Sequence, residues 1–310
     1  MTVKIDAAIG IFDSGIGGLS VLQHIRKDLP HEHLIYFADS GFAPYGDKPE
    51  SLIVERSLAV AQFLTEQGCK ALVVACNTAT AAAIKALRQA HPDLNLVGVE
   101  PGLKPAAQQS QNGIIGVLAT QATLQSEKFT ALRDQLSAET GTQFFSQACV
   151  GLVNQIEKAE LHSAETVRLL HQYLTPLLQQ GADTIVLGCT HYPFVAELIL
   201  KIIAEFNTSH PHTSVKLIDT GKAVSKQLTR LLASSEHATE TVSDSKAASD
   251  TKTASGSKSH SIVDAATKLI VYTTGSSTTL AYALDRLLHI KEKDREIMHL
   301  SVSSKIAKVN

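Results

Sequence analysis

The stretch LVVACNTAT, residues 72–80, ends an apolar run on Cys76, and IVLGCTHYP, residues 185–193, ends another on Cys189. Each run has the length and composition of a strand buried on both faces. Each is followed by a helical pattern, TATAAAIKALRQA (78–90) in one case and PFVAELILKIIAEF (193–206) in the other. A strand, a cysteine at its carboxyl end and a helix therefore occur twice. That repeat points to two similar α/β units.

Working outward, the same alternation fills the chain. Strand-like runs are AAIGIF (7–12), HLIYFAD (33–39), LNLVGVE (94–100), GIIGVLA (113–119), TQFFSQACV (142–150), VKLID (215–219) and KLIVYTT (268–274). Between them lie amphipathic stretches such as LSVLQHIRKDL (19–29), ESLIVERSLAVAQFLTEQG (50–68), TLQSEKFTALRDQL (123–136) and SAETVRLLHQYLTPLLQQG (163–181). AVSKQLTRLLA (223–233) and TTLAYALDRLL (278–288) complete the helical set. Buried runs alternating with helices read as mainly parallel sheets covered by helices. IGIFDSGIGGLSVLQHI (9–25) aligns with IGVLATQATLQSEKFTAL (115–132), so Asp13 and Ser14 correspond to Ala119 and Thr120. Cys76 corresponds to Cys189 in the same way.

Residues 234–261 stand apart, being almost all Ser, Thr, Ala, Lys, Asp and Glu. Such a composition buries too little surface to offset its ordering entropy and reads as a disordered insert without catalytic role. The polar tail beyond Lys291 is left unassigned.

Composition removes several function classes. The 28 basic and 30 acidic residues nearly cancel, and there is no Trp, so neither nucleic acid nor an anionic membrane is an expected partner. No apolar run approaches the roughly 18 residues of a membrane span. The start MTVKIDAAIGIFDSG is too polar for a signal peptide. The cysteines Cys69, Cys76, Cys149 and Cys189 form no CxxC pair. Reduced thiols in a cytoplasmic protein are expected.

In parallel α/β sheets, ligands bind beyond the carboxyl ends of the strands. Cys76 and Cys189 both lie there, and a helix N-terminus is expected to lower a thiol pKa toward neutrality. Thr78 and Thr190 can cap the helix or hydrogen-bond a ligand, and free backbone N–H groups would hold a carboxylate. Cys69 and Cys149 lack this setting and read as inert packing. Cys189 and His191 have no second Cys/His pair, so no metal site is expected. A hydrolase-type nucleophile elbow fits poorly, because Thr78 and His191 stand where a glycine belongs. The loop FDSGIGGLS (12–20) lets backbone approach a ligand, but Ser20 replaces the third glycine of a dinucleotide motif. Asp13 would repel phosphate there and suits an ammonium group or a thiol.

Together FDSGIGGLSVL (12–22), PYGDKP (44–49), ACNTAT (75–80) and GCTHYP (188–193) resemble glutamate racemase, within the aspartate/glutamate racemase superfamily. The resemblance runs from about residue 8 to about residue 290. It implies two α/β domains related by a pseudo-twofold, with the active site in the cleft between them. One domain would hold 1–98 plus 213–310 and the other 99–212. It also implies cofactor-independent interconversion of L- and D-glutamate, the D-form feeding peptidoglycan synthesis. Cys76 would deprotonate D-glutamate and Cys189 L-glutamate, with Asp13 assisting the first and His191 and Glu157 the second. The family often carries prolines before that glutamate, whereas ACVGLVNQIE (148–157) has Val150 and Asn154 in those places, which leaves Glu160 as an alternative. Ser14, Tyr45, Gly46, Asn77, Thr78 and Thr190 would grip substrate, joined by Thr120 and Thr123. A homodimer stays open. The activation by a cell-wall precursor that accompanies an N-terminal extension in some members is not expected. Two rival readings remain: a racemase or isomerase of the superfamily acting on aspartate or another small acid, and a non-catalytic α/β binding protein.

Overall fold

A computed structural model describes residues 8–209, 214–234 and 269–300. The expected insert therefore lies outside the described residues from 235 onward. Two sheets of parallel strands form the framework. The first joins β1 (Ile9–Asp13), β2 (Leu34–Ala38), β3 (Ala71–Val74), β4 (Asn95–Gly98), β9 (Leu269–Thr273) and β10 (Arg295–His299). Their spatial order is β10-β9-β2-β1-β3-β4. The second joins β5 (Ile114–Ala119), β6 (Gln143–Ala148), β7 (Thr184–Gly188) and β8 (Lys216–Ile218) in the order β6-β5-β7-β8. All residues of β1, β2, β3 and β7 are buried, as continuous apolar runs between helical layers should be.

The local chemistry sets most element ends. The segment 123–136, expected as one helix, divides into α5 (Gln121–Gln125) and α6 (Glu127–Thr140). Ser126 stands between them with extended backbone, its Oγ accepting the Phe129 N–H at 3.2 Å. An N-cap bond at this position outcompetes continuation of the helix. After Cys189, a 3₁₀ turn at Tyr192–Val195 precedes α9 (Ala196–Ser209). Pro193 has no N–H to donate, so a tight first turn loses nothing there. The tail left unassigned forms β10, which adds to β9 in register from Arg295↔Leu269 to His299↔Thr273. β8 pairs with β7 of the second sheet, although a division at 212/213 counts it with the first unit. The helix that follows, α10 (Gly221–Ser234), packs on α1 (Leu19–Asp28) and β4, so the chain returns to the first unit only after Ile218.

One apolar core runs through both units. It takes in Ile16 and Leu19 after β1, Leu152, Val153 and Ile156 of α7 (Leu152–Glu157), and Cys189 and Tyr192 after β7. The carboxyl ends of β1, β3 and β7 thus meet in a buried region.

Candidate active site

On the first unit, Asp13 ends β1 and Cys76 follows β3 as the cap of α3 (Asn77–Ala90). Asp13 is fully buried, and its Oδ2 accepts the N–H groups of Gly15 at 3.2 Å and Gly18 at 2.9 Å. Its Oδ1 has no hydrogen-bond partner among the described residues. Cys76 Sγ lies 3.4 Å from Ala79 N and 3.8 Å from Ser14 Oγ. Both polar atoms of the buried Asn77 carboxamide also lack a hydrogen-bond partner among the described residues. Buried polar groups are satisfied as a rule, so orphans gathered beside a thiol mark a place for a polar ligand.

On the second unit, Cys189 Sγ lies 3.6 Å from His191 Nδ1, and His191 Nε2 lies 2.6 Å from Glu157 Oε1. The same Glu157 oxygen accepts the N–H of Ile16 from the first unit at 2.8 Å. The side chain that meets His191 is therefore Glu157. Glu160 is exposed, and its carbonyl accepts the Thr166 hydroxyl. The Thr78 hydroxyl crosses between units to Thr120 at 2.9 Å and to Thr123 at 3.4 Å. Thr120 and Thr123 are themselves 2.9 Å apart. Thr190 is buried, and its carbonyl accepts the Ser20 hydroxyl at 2.8 Å.

The glycine loop has a use in addition to the one expected. A β-carbon on Gly15 would overlap the Glu157 carboxylate, and one on Gly17 would overlap the His191 ring. These glycines admit the second unit's ion pair, beyond any role in approaching a ligand. Gly46 is close in the same sense, since a β-carbon there would stand 2.9 Å from Thr120. Tyr45 is buried, and its hydroxyl donates to Asp39 Oδ2 at 2.6 Å. Arg56 grips the same carboxylate with Nε at 3.0 Å and a second nitrogen at 2.9 Å, and Thr274 donates to Oδ1 at 2.8 Å. The Tyr45 hydroxyl is thus committed to holding the 44–47 loop. Asp39, Arg56 and Thr274 escaped the sequence reading. Arg56 carried a signal, because it shares an i, i+3, i+7 stripe with the buried Ile53 and Val60 on α2 (Glu50–Glu66).

The electrostatics differ on the two sides. Burial pushes the Cys76 thiol well up, helped by the Asp13 charge, and the bond from Ala79 N–H only partly opposes this. The expected helix-terminus lowering does not prevail for Cys76, because desolvation of the buried thiol and the Asp13 charge outweigh the backbone bonds at Ala79 and Ser14. Burial also raises the Asp13 carboxyl, against the pull of His191 and of the Gly18 N–H. Burial disfavours charge on His191, but Cys189 and Glu157 prevail and hold the imidazole well above its ordinary range. The arrangement thus favours the charged form of His191. Burial alone raises Cys69 to about 12, in keeping with an inert thiol. Among the described residues no three His, Cys, Asp or Glu side chains group as metal ligands, and no helix is long and apolar enough to cross a membrane.

Comparison with known proteins gives a consistent picture. The family model for Asp/Glu/hydantoin racemases matches residues 17–228. A glutamate racemase from Pseudomonas syringae pv. tomato is 50% identical over 230 residues, which is 74% of this chain and 80% of that protein. The solved structure of Escherichia coli glutamate racemase with L-glutamate and the activator UDP-MurNAc-ala superposes with a TM-score of 0.73 at 30% identity, covering 96% of this chain and 99% of that one. The Francisella tularensis glutamate racemase bound to D-glutamate gives a TM-score of 0.73 at 26% identity, covering 94% and 97%.

Proposed function

This chain belongs to the Asp/Glu/hydantoin racemase family, and from that premise we propose that it interconverts L- and D-glutamate by passing the Cα proton between Cys76 and Cys189. The observation that carries the reading is the pair of thiols itself. They end equivalent strands of two similar sheets, and they lie near enough that Cys189 contributes to raising the Cys76 thiol. Relatives at half identity act as glutamate racemases, which supports glutamate as the substrate.

Racemisation breaks the Cα–H bond on one face and makes one on the other. Two bases on opposite faces do this without turning the substrate over. One sulfur, as thiolate, takes the proton, and the other, as thiol, returns one, so the pair ends each turnover with its roles exchanged. A Cα proton beside an ionised carboxylate is weakly acidic, so preorganised charges must stabilise the carbanionic centre. His191, held charged by Glu157, is the proton partner and counter-ion for Cys189. Asp13 and Ser14 serve Cys76. The open Asp13 Oδ1 suits the substrate ammonium, and the Asn77 carboxamide with the Thr78, Thr120 and Thr123 hydroxyls suits its carboxylates. All the groups in this scheme belong to the chain. The D-enantiomer would supply peptidoglycan synthesis from the cytoplasm.

The test is proton NMR of L-glutamate with the purified protein in D₂O, run beside aspartate, with optical rotation followed in parallel. Loss of the Cα signal together with decay of the rotation is the expected result for glutamate. Turnover of aspartate alone would move the substrate assignment within the family, and exchange of neither would overturn the proposal.

A further inference from the structure

A two-base racemase works only if its second sulfur stands at a fixed place relative to the first, and here the two belong to different units. Ser20 lies in the first turn of α1, five per cent exposed, and carries no charge. Its Oγ is 2.8 Å from the Thr190 carbonyl, across the boundary between the units. It is also 2.8 Å from the Gly17 carbonyl. That second acceptor already receives the Ser20 backbone N–H at 3.0 Å. The hydroxyl proton is aimed at one carbonyl or shared between the two, and only the Thr190 bond crosses between the units. Thr190 is the residue between Cys189 and His191, so its peptide sets the direction of both side chains. Four residues upstream, Ile16 N holds Glu157, which in turn holds His191. The loop from Ile16 to Ser20 thus grips the second catalytic group at two points.

We propose that Ser20 is a positioning residue, whose hydroxyl bond to the Thr190 carbonyl fixes Cys189 and His191 against the Asp13–Cys76 side. The inference rests on the two-thiol reading above. The hydrogen bonds of the Ser20 side chain go to the Gly17 and Thr190 carbonyls, so it would act through Thr190. Displacing a reacting group by about 1 Å can lower a rate about 100-fold. Ser20 would therefore govern turnover while leaving substrate binding nearly intact.

The experiment compares wild type, Ser20→Ala and Ser20→Thr for kcat and KM in both directions, the isotope effect with α-deuterated glutamate, and Tm. Wild-type turnover of glutamate is measured first, so that failure of the two-thiol reading shows itself separately. Ser20→Ala is expected to lower kcat about 10- to 100-fold in both directions, with KM within about twofold and Tm within a few degrees. Its isotope effect should rise toward the intrinsic value, because misplacement slows the proton step itself. Ser20→Thr, which keeps the hydroxyl, should recover most of kcat. A Ser20→Ala kcat within twofold of wild type would overturn the proposal. So would a loss carried by KM, an isotope effect that does not rise, a fall in Tm beyond a few degrees, or an equal loss in Ser20→Thr.

Discussion

The two sides of the site present the same atom in opposite surroundings. Cys76 is enclosed with Asp13, and burial favours the neutral, protonated form of both. Cys189 stands beside His191, whose charged form Cys189 and Glu157 favour against burial. Similar folds have therefore placed one thiol beside a buried carboxyl and the other beside a histidine–carboxylate pair. Exchange of roles between two sulfurs does not require identical neighbours. The proposed exchange requires that each sulfur be able to take and to give, and the two sides would reach that by different means.

The strongest way to break this comparison is to delete each thiol. Cys76→Ala and Cys189→Ala should each lower racemisation about 100- to 10,000-fold, the usual range for loss of an acid–base group. The enantiomers have equal free energies, so kcat/KM stays equal in both directions for any variant. The asymmetry must be sought in Cα exchange in D₂O. Cys76→Ala should exchange L-glutamate faster than D-glutamate, and Cys189→Ala the reverse. Equal exchange of both enantiomers in either variant would show that the two thiols do not serve opposite faces.

Next in size are the partners. His191→Asn should cost turnover about 100-fold by removing the proton partner of Cys189. Asp13→Asn should lose comparable activity yet leave Tm at pH 7 unchanged or higher. The sign follows from the raised Asp13 carboxyl. Its contribution to stability is complete below about pH 3.9 and is lost as pH rises through the folded value, so ionising this buried group costs stability and Asn, which cannot ionise, avoids that cost. A clear fall in Tm for this variant would mean that the Gly15 and Gly18 bonds need the full carboxylate.

A smaller, pH-dependent effect sharpens the other side. The raised His191 stabilises the fold fully below about pH 6.5 and loses that contribution as pH rises through its folded value. Glu157→Gln removes a cause of that shift. The Tm advantage of wild type over Glu157→Gln should narrow as pH rises from the variant's folded His191 value to that of wild type, and a constant difference throughout that rise would count against a charged His191. Smallest of all, Cys69→Ala should leave turnover within about twofold in both directions, because that thiol packs under Gly10 away from either pair.

What could be read from the sequence was local. A cysteine after an apolar run, a carboxylate after another, and a threonine behind each thiol are features of neighbouring residues, and the structure brings Asp13, Cys76, Cys189 and His191 to adjoining strand ends. What could not be read depends on distant partners. The reason for Gly15 and Gly17 lies in Glu157 and His191, more than a hundred residues away. The rise of the Cys76 thiol comes from enclosure by both units, which a helix-terminus rule does not contain. The commitment of Tyr45 to Asp39 needs Arg56 and Thr274 from elements on either side of it. The strand Arg295–His299 is half exposed, so its polar sequence gave no buried run to recognise.

The order of strands also has a consequence for synthesis. The four strands of the second sheet follow one another without interruption along the chain, from Ile114 to Ile218. The first sheet places β9 directly against β2, and β9 begins only at Leu269. A ribosome making this protein therefore releases β2 long before its neighbour exists, and one hydrogen-bonding edge of a fully buried strand must wait through the making of an entire second sheet. Open strand edges invite pairing with other chains. The strand that covers the open edge of β2 thus arrives only after the second sheet has been made.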